Sequence, residues 1–373
     1  MPFAFEPIMK YRDIDRLAQT KQTPFLVIDR DVIRRKFREF QEAIGQARLF
    51  YALKANPHRR IVKLLLELGA DFEISSQEEL SFLLSQGVPP QRLISSHTVK
   101  TEAFIKAAYA SGVELLAFDS DAEIEKLAQF APGSKVYVRL SVSNEGSQWP
   151  LSRKFGVEAE EAVRLLVEAG QRGLNPYGIT FHVGSQCTEQ STWVRALEKS
   201  EEVWDSAESR GLKLRMLNIG GGFPIKYINP TPSIVQIAKV VGDMLTRMFP
   251  KNIEIFVEPG RAVVGEAGIL VASVIGKGKR NGEKWLYLDV GVFNGLMESI
   301  GGIRYPMTVA RNGPRSRWVL AGPSCDSFDV ISTEVELTEP EIGDKLYIMS
   351  AGAYTTAYAS NFNGFSIPKT YFV

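Results

Sequence analysis

Residues 49–76 have the sequence LFYALKANPHRRIVKLLLELGADFEISS and begin a pattern that continues to about residue 260. The two ends of this stretch, LFYALKA (49–55) and FEISS (72–76), are short apolar runs typical of buried strands. Between them, apolar residues recur at the three-to-four spacing of an amphipathic helix, namely Ile61, Leu64, Leu65 and Leu68. This order predicts two parallel strands joined by a crossover helix.

The same alternation supplies further strand-like runs: LISS (93–96), LLAFD (115–119), KVYVRLS (135–141), GITFHVGS (178–185), MLNIGGG (216–222) and EIFVEPG (254–260). With the first two they make about eight, which predicts an α/β fold built on a closed (β/α)8 barrel of the TIM type. After residue 265, strands separated by polar turns predict an all-β, barrel-like domain, to which FLVID (25–29) adds a strand. We therefore predict a barrel over 30–265 and a β domain from 1–29 and 266–373.

The composition argues against several classes of protein. Lysine and arginine total 44 against 43 acids, a formal net charge of +1, whereas nucleic-acid and membrane-surface binders usually carry a strong basic excess. No apolar run is long enough to span a bilayer, and the N-terminal sequence lacks the features of a signal peptide. The two cysteines, Cys187 and Cys325, make no disulfide framework, and no zinc-ligand spacing is present. We expect a cytoplasmic protein with no metal, nucleic-acid or membrane partner.

Lys54 has apolar neighbours on both sides in YALKAN (51–56). A lysine enclosed in an apolar strand is costly unless it is paired or used in chemistry. It is either a snorkelling or salt-bridged lysine, or a Schiff-base lysine whose amine needs a lowered pKa or covalent capture to act.

Glycine turns follow two neighbouring strands of the predicted barrel. Gly220, Gly221 and Gly222 come after the seventh strand, and Gly260 with Arg261 comes after the eighth. Glycines let a backbone approach an anion closely, and barrels commonly bind phosphate at these two strands. For the first run alone, an ordinary tight turn is an equal alternative.

Chemically useful side chains follow other strands. A carboxylate such as Glu258 could hold the proton on a pyridine nitrogen, although a surface or capping glutamate is the alternative. His182 could stack on a cofactor ring or be a satisfied core histidine. In GPSCDSFD (322–329), Cys325 is expected to be an exposed thiol near charged groups, whereas Cys187 is expected to be structural.

Eight motifs then occur in order along the chain: YALKAN, FEISS, WPLSRKFG, FHVGSQ, NIGGGFP, EPGR, GPSCDSFD and GAYTTAYASNFNGF. Together they resemble the bacterial ornithine/lysine decarboxylases, which are pyridoxal 5'-phosphate (PLP) enzymes of the alanine-racemase-like barrel group, fold type III. The resemblance covers roughly residues 22–373. It implies the same barrel, PLP as the cofactor, and a small amino acid as the substrate.

The resemblance implies a role for each matching residue. Lys54 would carry PLP, His182 would stack on its ring, and Glu258 would face the pyridine nitrogen with Arg139 nearby. Glu73 matches the acidic residue near the lysine. Contacts to the phosphate would come from Ser185, Gly221, Gly222, Gly260, Arg261 and Tyr354.

The resemblance also implies a homodimer whose active sites are shared between subunits. Cys325 would return a proton to the decarboxylated carbon, and Asp326 would hold the distal amine of the substrate. In this family the partner subunit supplies both residues. Lys154 and Asp329 match a salt-bridge pair that crosses the interface.

The residues favour decarboxylation over related reactions. A racemase would gain from a less electrophilic ring, usually with arginine facing the nitrogen, whereas this chain has Glu258. Diaminopimelate decarboxylases typically carry glutamate after the cysteine, whereas Asp326 follows Cys325 here. We expect conversion of L-ornithine to putrescine, of L-lysine to cadaverine, or both, in polyamine biosynthesis.

One segment departs from the family, GVFNGLMESIGGIRYP (291–306). Glu298 matches the first acid of the bacterial pattern and is expected to help Asp326, but the paired acids that follow are absent and Gly301 and Gly302 remain. In the family this segment lies near the distal end of the substrate, so a specialised amino acid is the alternative substrate. A non-catalytic regulator, like the antizyme inhibitors, is a further alternative that the retained cofactor residues disfavour.

Overall fold

The computed structural model describes residues 11–45, 47–150 and 153–373. The α-helices are α1 (Tyr11–Thr20), α2 (Arg30–Ile44), α3 (Arg59–Glu67), α4 (Gln77–Ser85), α5 (Glu102–Ser111), α6 (Asp121–Phe130), α7 (Ala159–Gln171), α8 (Gln190–Ser209), α9 (Ile234–Met248), α10 (Arg261–Val264) and α11 (Thr355–Tyr358).

The strands run in chain order as β1 (Phe25–Ile28), β2 (Arg48–Ala52), β3 (Asp71–Glu73), β4 (Leu93–Ile94), β5 (Leu115–Phe118), β6 (Lys135–Arg139), β7 (Ser147–Trp149), β8 (Asn175–Thr180), β9 (Ser185–Cys187), β10 (Met216–Asn218), β11 (Glu254–Val257), β12 (Gly268–Arg280), β13 (Glu283–Leu288), β14 (Met307–Val309), β15 (Arg315–Ala321), β16 (Val330–Thr338), β17 (Lys345–Ile348) and β18 (Lys369–Phe372).

Eight parallel strands form the barrel that the sequence predicts. Their order is β4-β3-β2-β11-β10-β8-β6-β5, and one bridge between Ser95 and Leu116 joins the two edges. Apolar side chains fill the interior, among them Phe50, Met216 and Phe256. The predicted (β/α)8 fold is confirmed, and since all eight strands are parallel, their carboxyl ends share one mouth.

The helices between these strands begin at side-chain caps. The side chains of Ser76, Thr101 and Ser120 each accept a hydrogen bond from a backbone N–H in the first turn of α4, α5 and α6. Such caps satisfy backbone donors that a helix leaves unpaired. The capping residues therefore set where each helix begins after its strand.

The predicted β domain is confirmed as a mixed, eight-stranded sheet. Its main path is β14-β17-β12-β13-β15-β16, and β1 pairs antiparallel with β12 and parallel with β18. A core that includes Phe25, Val27, Val271 and Tyr347 packs beside β1. The short helices α10 and α11, together with α1, belong to the same part of the chain.

Contacts divide the described chain into two compact units. The barrel unit comprises 37–224 and 231–260, and the β unit comprises 11–36, 225–230 and 261–373. The domain limits predicted from the sequence stay a prediction, and residues 1–10 of the predicted β domain lie outside the described residues.

Two features are absent from the part of the chain that the structure describes. None of its helices combines the length and apolar character needed to cross a bilayer. Nor do three or more histidine, cysteine, aspartate or glutamate side chains come together there as a group able to hold a metal ion.

Candidate active site

Lys54 lies just beyond the first strand of the barrel. β2 ends at Ala52, and residues Leu53–Ala55 form a single 3₁₀ turn, which a 3.1 Å hydrogen bond from the Asn56 N–H to the Leu53 carbonyl closes. The prediction that Lys54 is enclosed in an apolar strand is therefore wrong, because 49% of its side chain is exposed. The turn places the amine at the barrel mouth.

The partner of this amine is a buried carboxylate. Lys54 Nζ lies 2.8 Å from Oε2 of Glu73, whose side chain is only 2% exposed. The Ser75 hydroxyl donates to the other carboxylate oxygen at 3.2 Å. The two side chains therefore form a salt bridge at the barrel mouth. The structure thus brings Lys54 and Glu73 together. This pairing fits a salt-bridged lysine, and it also leaves the amine able to bind a cofactor covalently.

Glu258 follows β11 and is buried, so it is not a surface glutamate. One of its carboxylate oxygens, Oε1, accepts hydrogen bonds from the Ser96 hydroxyl and from the Asn218 side-chain amide. Burial and the nearby Glu73 carboxylate raise the pKa of Glu258, whereas the hydrogen bonds from Ser96 and Asn218 and the Lys54 charge lower it. On balance the pKa of Glu258 is raised, mainly by burial, and the two donors limit that rise.

His182 stands two residues past the end of β8, and so outside the strand in which the sequence places it. Its Nδ1 accepts a 3.0 Å hydrogen bond from the Gly184 N–H, so this nitrogen carries no proton. Burial, followed by the positive charges of Arg139 and Lys54, lowers the pKa of His182 well below its usual value. The imidazole is therefore neutral at neutral pH.

The glycine turn after β10 packs closely against neighbouring strand ends. A Cβ on Gly221 would lie 2.7 Å from the carbonyl oxygen of Glu258 and 3.0 Å from His182 Nε2. On Gly222, which has φ +101°, it would lie 2.4 Å from the Gly184 carbonyl oxygen. A larger residue would collide at either position, which explains the glycines beyond the needs of a simple turn.

The remaining predicted residues of the barrel unit lie at other strand ends. A Cβ on Gly260 would approach the Ala55 Cβ to 2.9 Å, so this glycine packs against the turn that carries Lys54. Arg139 ends β6, and its guanidinium carbon lies 5.2 Å from the centroid of the Phe155 ring. Ser185 begins β9 and pairs with Trp149 in a two-stranded ribbon.

In the β unit, Arg261 and Glu298 form a buried ion pair. Arg261 Nη1 lies 2.6 Å from Glu298 Oε2, Nη2 donates to the other oxygen, and the two side chains are 3% and 4% exposed. Nη1 also donates to the Tyr227 hydroxyl at 2.7 Å, and the Tyr354 ring lies 4.9 Å from the guanidinium carbon. Glu298 thus contacts Arg261 through both oxygens, and its role at the substrate stays a prediction.

Cys325 and Asp326 lie in an exposed turn of the β unit. The Cys325 thiol lies 3.2 Å from Asn363 Oδ1, which also accepts the Cys325 N–H at 3.2 Å. Asp326 Oδ1 accepts the Phe328 N–H at 2.8 Å. The predicted exposed thiol is confirmed, and Asp326 presents its carboxylate to solvent beside it.

Lys154 and Asp329 belong to different units. Asp329 is buried, and its two oxygens accept the N–H groups of Val292 at 2.7 Å and of Ser324 at 3.0 Å. The Lys154 amine is exposed and lies 4.9 Å from the centroid of the Phe155 ring. Their pairing across a subunit interface stays a prediction.

Three residues at the barrel mouth were missed by reasoning from sequence. The Ser96 hydroxyl and the Asn218 side-chain amide donate hydrogen bonds to Glu258, and the Tyr137 hydroxyl is hydrogen-bonded to Ser96. Ser96 and Asn218 each stand at the carboxyl end of an apolar run, LISS and MLN. A small polar residue in that position is the signal that could have identified them.

The comparisons with known proteins extend over nearly the whole chain. The family described as "Pyridoxal-dependent decarboxylase, pyridoxal binding domain" matches residues 30–265. The lysine/ornithine decarboxylase of Selenomonas ruminantium is 36% identical, covering 96% of this chain and 92% of that protein. Antizyme inhibitor 2 of Xenopus laevis is 32% identical over 94% of this chain and 81% of its own length.

A solved structure also matches nearly the whole chain. The lysine/ornithine decarboxylase of Vibrio vulnificus, crystallised with cadaverine, is 34% identical and superposes with a TM-score of 0.90. The match covers 97% of this chain and 98% of that chain.

Proposed function

Because the chain belongs to the PLP-dependent ornithine/lysine decarboxylase family, with PLP as its cofactor, we propose that it decarboxylates ornithine and, less well, lysine. The products would be putrescine and cadaverine, which are polyamine precursors. The observation that carries the proposal is the placement of Glu258, a buried carboxylate at the barrel mouth whose Oε1 accepts hydrogen bonds from Ser96 and Asn218. An anion in this position favours decarboxylation over racemisation.

The residues of the barrel unit fit PLP in charge and in shape. Lys54 offers an accessible amine, and Glu258 offers a carboxylate for the proton of the ring nitrogen. His182 offers a neutral, flat ring. We assign phosphate contacts to Ser185, Gly221, Gly222 and Gly260 and, from the family resemblance, to Arg261 and Tyr354.

When bound, PLP supplies an electron-withdrawing ring that accepts the electron pair left at Cα as CO2 departs. Lys54 would anchor the cofactor, and Glu73, which lies 2.8 Å from the Lys54 amine, would hold that amine in place. Glu258 would hold a proton at the ring nitrogen, and neutral His182 would not compete for it. Cys325, from the partner subunit, returns a proton to Cα.

Asp326 is our candidate for the group that recognises the distal amine. Its carboxylate is exposed, whereas both oxygens of Glu298 already bind Arg261. A single acid holds a cation less firmly than several, so we expect weaker affinity than is usual in the family. This recognition favours diamino acids over amino acids with an apolar end.

An amino-acid panel scored for CO2 release tests the function and Asp326 together. We expect Asp326→Ala to lower kcat/KM for ornithine by about 10- to 150-fold, because one charged hydrogen bond is lost. Norvaline, which has no distal amine, should be a poor substrate of the native enzyme. Ser327→Ala, an exposed neighbouring change, is the control and should leave the panel unaltered.

Two results would contradict the assignment. Equal use of norvaline and ornithine would refute recognition of a cation, and unchanged ornithine turnover in Asp326→Ala would make Glu298 the next residue to test. A purified protein with no visible absorbance after incubation with PLP, and no CO2 from the panel, would favour a non-catalytic regulator.

We also propose a homodimer with shared sites. The turn that carries Cys325 is exposed, and so are large apolar side chains of the same unit, including Phe328 at 57% and Phe362 at 43%. Burial of these side chains against a second subunit would remove apolar surface from water. From the family resemblance, we assign Cys325 and Asp326 to the active site of the partner subunit.

Mixing two defective variants should restore amine formation. Lys54→Ala and Cys325→Ala each lack one part of every site, but a mixed dimer with shared sites has one intact site. Random exchange makes half of the dimers mixed, so we expect about a quarter of the native activity. No recovery, with exchange demonstrated by mass spectrometry of tagged subunits, would contradict shared sites.

We propose the cytoplasm as the compartment. Cys187 and Cys325 are both free thiols, and a reducing compartment preserves free thiols. Activity that follows a cytoplasmic marker during cell fractionation would support this location.

A further inference from the structure

We propose that Ser96 is a positioning residue for the reaction: Tyr137 orients the Ser96 hydroxyl, which donates to Glu258 and orients its carboxylate. The inference deepens the proposed function and rests on it for the part that concerns turnover. The hydrogen-bond chain itself can be tested without substrate or cofactor.

Three strands of the barrel bring the chain of polar groups together. Ser96 follows β4, Tyr137 lies in β6, and Asn218 ends β10. The Ser96 and Tyr137 oxygens are 2.8 Å apart, and Ser96 donates to the same oxygen of Glu258 that Asn218 binds. The side chains of these three residues and of Glu258 are all buried, so water does not easily replace a lost contact.

When Glu258 is ionised, the donors and acceptors of this hydrogen-bond network allow one arrangement. A serine hydroxyl carries a single hydrogen, and Ser96 uses it on Glu258, which as a carboxylate can only accept. Tyr137 must therefore donate to Ser96. Burial and the charge of Glu258 raise the pKa of Tyr137 well above its usual value, so the phenol keeps the hydrogen that it donates. Tyr137 thus orients Ser96, and Ser96 orients Glu258.

The electrostatic surroundings explain why Glu258 needs donors. The charged and titratable groups that act on it or on its hydrogen-bonding partners are Glu73, Lys54, Arg139 and Tyr137. Burial and Glu73 both favour a protonated, neutral Glu258, while Ser96, Lys54 and Asn218 favour the anion. Loss of the Ser96 hydroxyl removes one of the groups that oppose protonation.

Ser95 supplies a matched control within the same loop. It is the adjacent residue and is fully buried, but among the described residues its Oγ has no hydrogen-bond partner. Its backbone N–H and carbonyl close the barrel through bonds of 3.1 and 2.8 Å to Leu115 and Ala117, which alanine would retain. Ser95→Ala and Ser96→Ala therefore remove the same atom at neighbouring buried positions, and only the second removes a bond to Glu258.

The experiment compares Ser96→Ala, Ser95→Ala, Tyr137→Phe and the double variant Ser96→Ala/Tyr137→Phe in the full-length protein. The first measurement is the titration of the Glu258 carboxyl by NMR of glutamate-labelled apo-protein, with Glu258→Gln assigning the signal. The second is the Kd for PLP by absorbance titration, and the third is kcat and KM for the best substrate of the panel.

We expect Ser96→Ala to move the Glu258 titration to higher pH, to weaken PLP binding about 10-fold and to lower kcat about 10-fold with little change in KM. Tyr137→Phe should shift all three values in the same direction but less, because Ser96 can still donate. The double variant should equal Ser96→Ala, since Tyr137 acts through Ser96. Ser95→Ala should match the native protein.

The proposal is overturned if Glu258 titrates at the same pH and PLP binds with the same Kd in Ser96→Ala as in Ser95→Ala. It is also overturned if the effects of the two substitutions simply add in the double variant. If Ser96→Ala does not fold, an unshifted Glu258 titration in Tyr137→Phe overturns it. The titration also separates the two levels of inference. Suppose that the native protein is inactive on the whole panel, but the Glu258 titration still moves to higher pH in Ser96→Ala. This result would refute the proposed function and support the hydrogen-bond chain.

Discussion

We expect Lys54→Ala to lower the rate of decarboxylation by about 10⁴-fold, the upper end of what one positioned side chain contributes to catalysis. The loss should be this large because alanine has no amine to anchor PLP, and the Glu73 carboxylate that lies 2.8 Å from the Lys54 amine cannot form that bond. Borohydride reduction of the native protein with PLP, followed by peptide mapping, should place the cofactor on Lys54. The Lys54→Ala variant, treated with borohydride in the same way, should carry no cofactor.

Lys63→Ala is the control for this experiment. Lys63 is an exposed lysine of α3 on the same βα segment, and its loss should alter neither labelling nor rate. Label on any lysine other than Lys54, or activity in Lys54→Ala within tenfold of native, would refute the assignment.

Glu258→Gln should reduce kcat by about 10² to 10⁴-fold with little change in KM. Glutamine has nearly the same shape, but it is neutral and cannot hold a proton at the ring nitrogen. Burial raises the pKa of Glu258, so the native enzyme should lose activity on acidification at a higher pH than an ordinary glutamate would cause. The variant should lack this acid limb in its pH–rate profile.

Glu254→Gln tests whether position in the barrel decides the result. Glu254 begins β11 and Glu258 follows its end, so the two glutamates lie at opposite ends of one strand. Only the carboxyl end of the barrel carries the site, and Glu254→Gln should keep the native kcat. A Glu258→Gln enzyme as active as Glu254→Gln would remove Glu258 from the mechanism.

The barrel could be predicted from sequence because its signal is local and repeated. Each strand is an apolar run followed by a helix with its own apolar face, and the order of runs matches the order of the strands. Strand ends were harder to predict, since Lys54 and His182 continue apolar runs in sequence but lie beyond the strands. The 3₁₀ turn at Leu53–Ala55 depends on backbone hydrogen bonds, which apolar patterning does not reveal.

The ionisable residues of the site could be singled out because each stands out against its sequence surroundings. Their partners could not, because pairing depends on strands far apart in sequence. Ser96 and Glu258 are 162 residues apart, and Arg261 and Glu298 are 37 apart. A serine or asparagine at a strand end marks a candidate, but such residues are common and carry no charge, so only the three-dimensional structure distinguishes Ser96 from Ser95.

The parallel pairing of β1 with β18 has a consequence for the order of folding. Phe25 pairs with Lys369 on one side and with Val271 on the other, so the first strand among the described residues lies between two of the later ones. At a usual synthesis rate of about 5–20 residues per second, β1 waits roughly tens of seconds on the ribosome before β18 is made. All of the barrel unit is synthesised in that interval. In a nascent chain FLVI therefore has no strand partner until β12 is made, and one of its edges stays unpaired until β18 follows, which makes this segment a natural binding site for a chaperone.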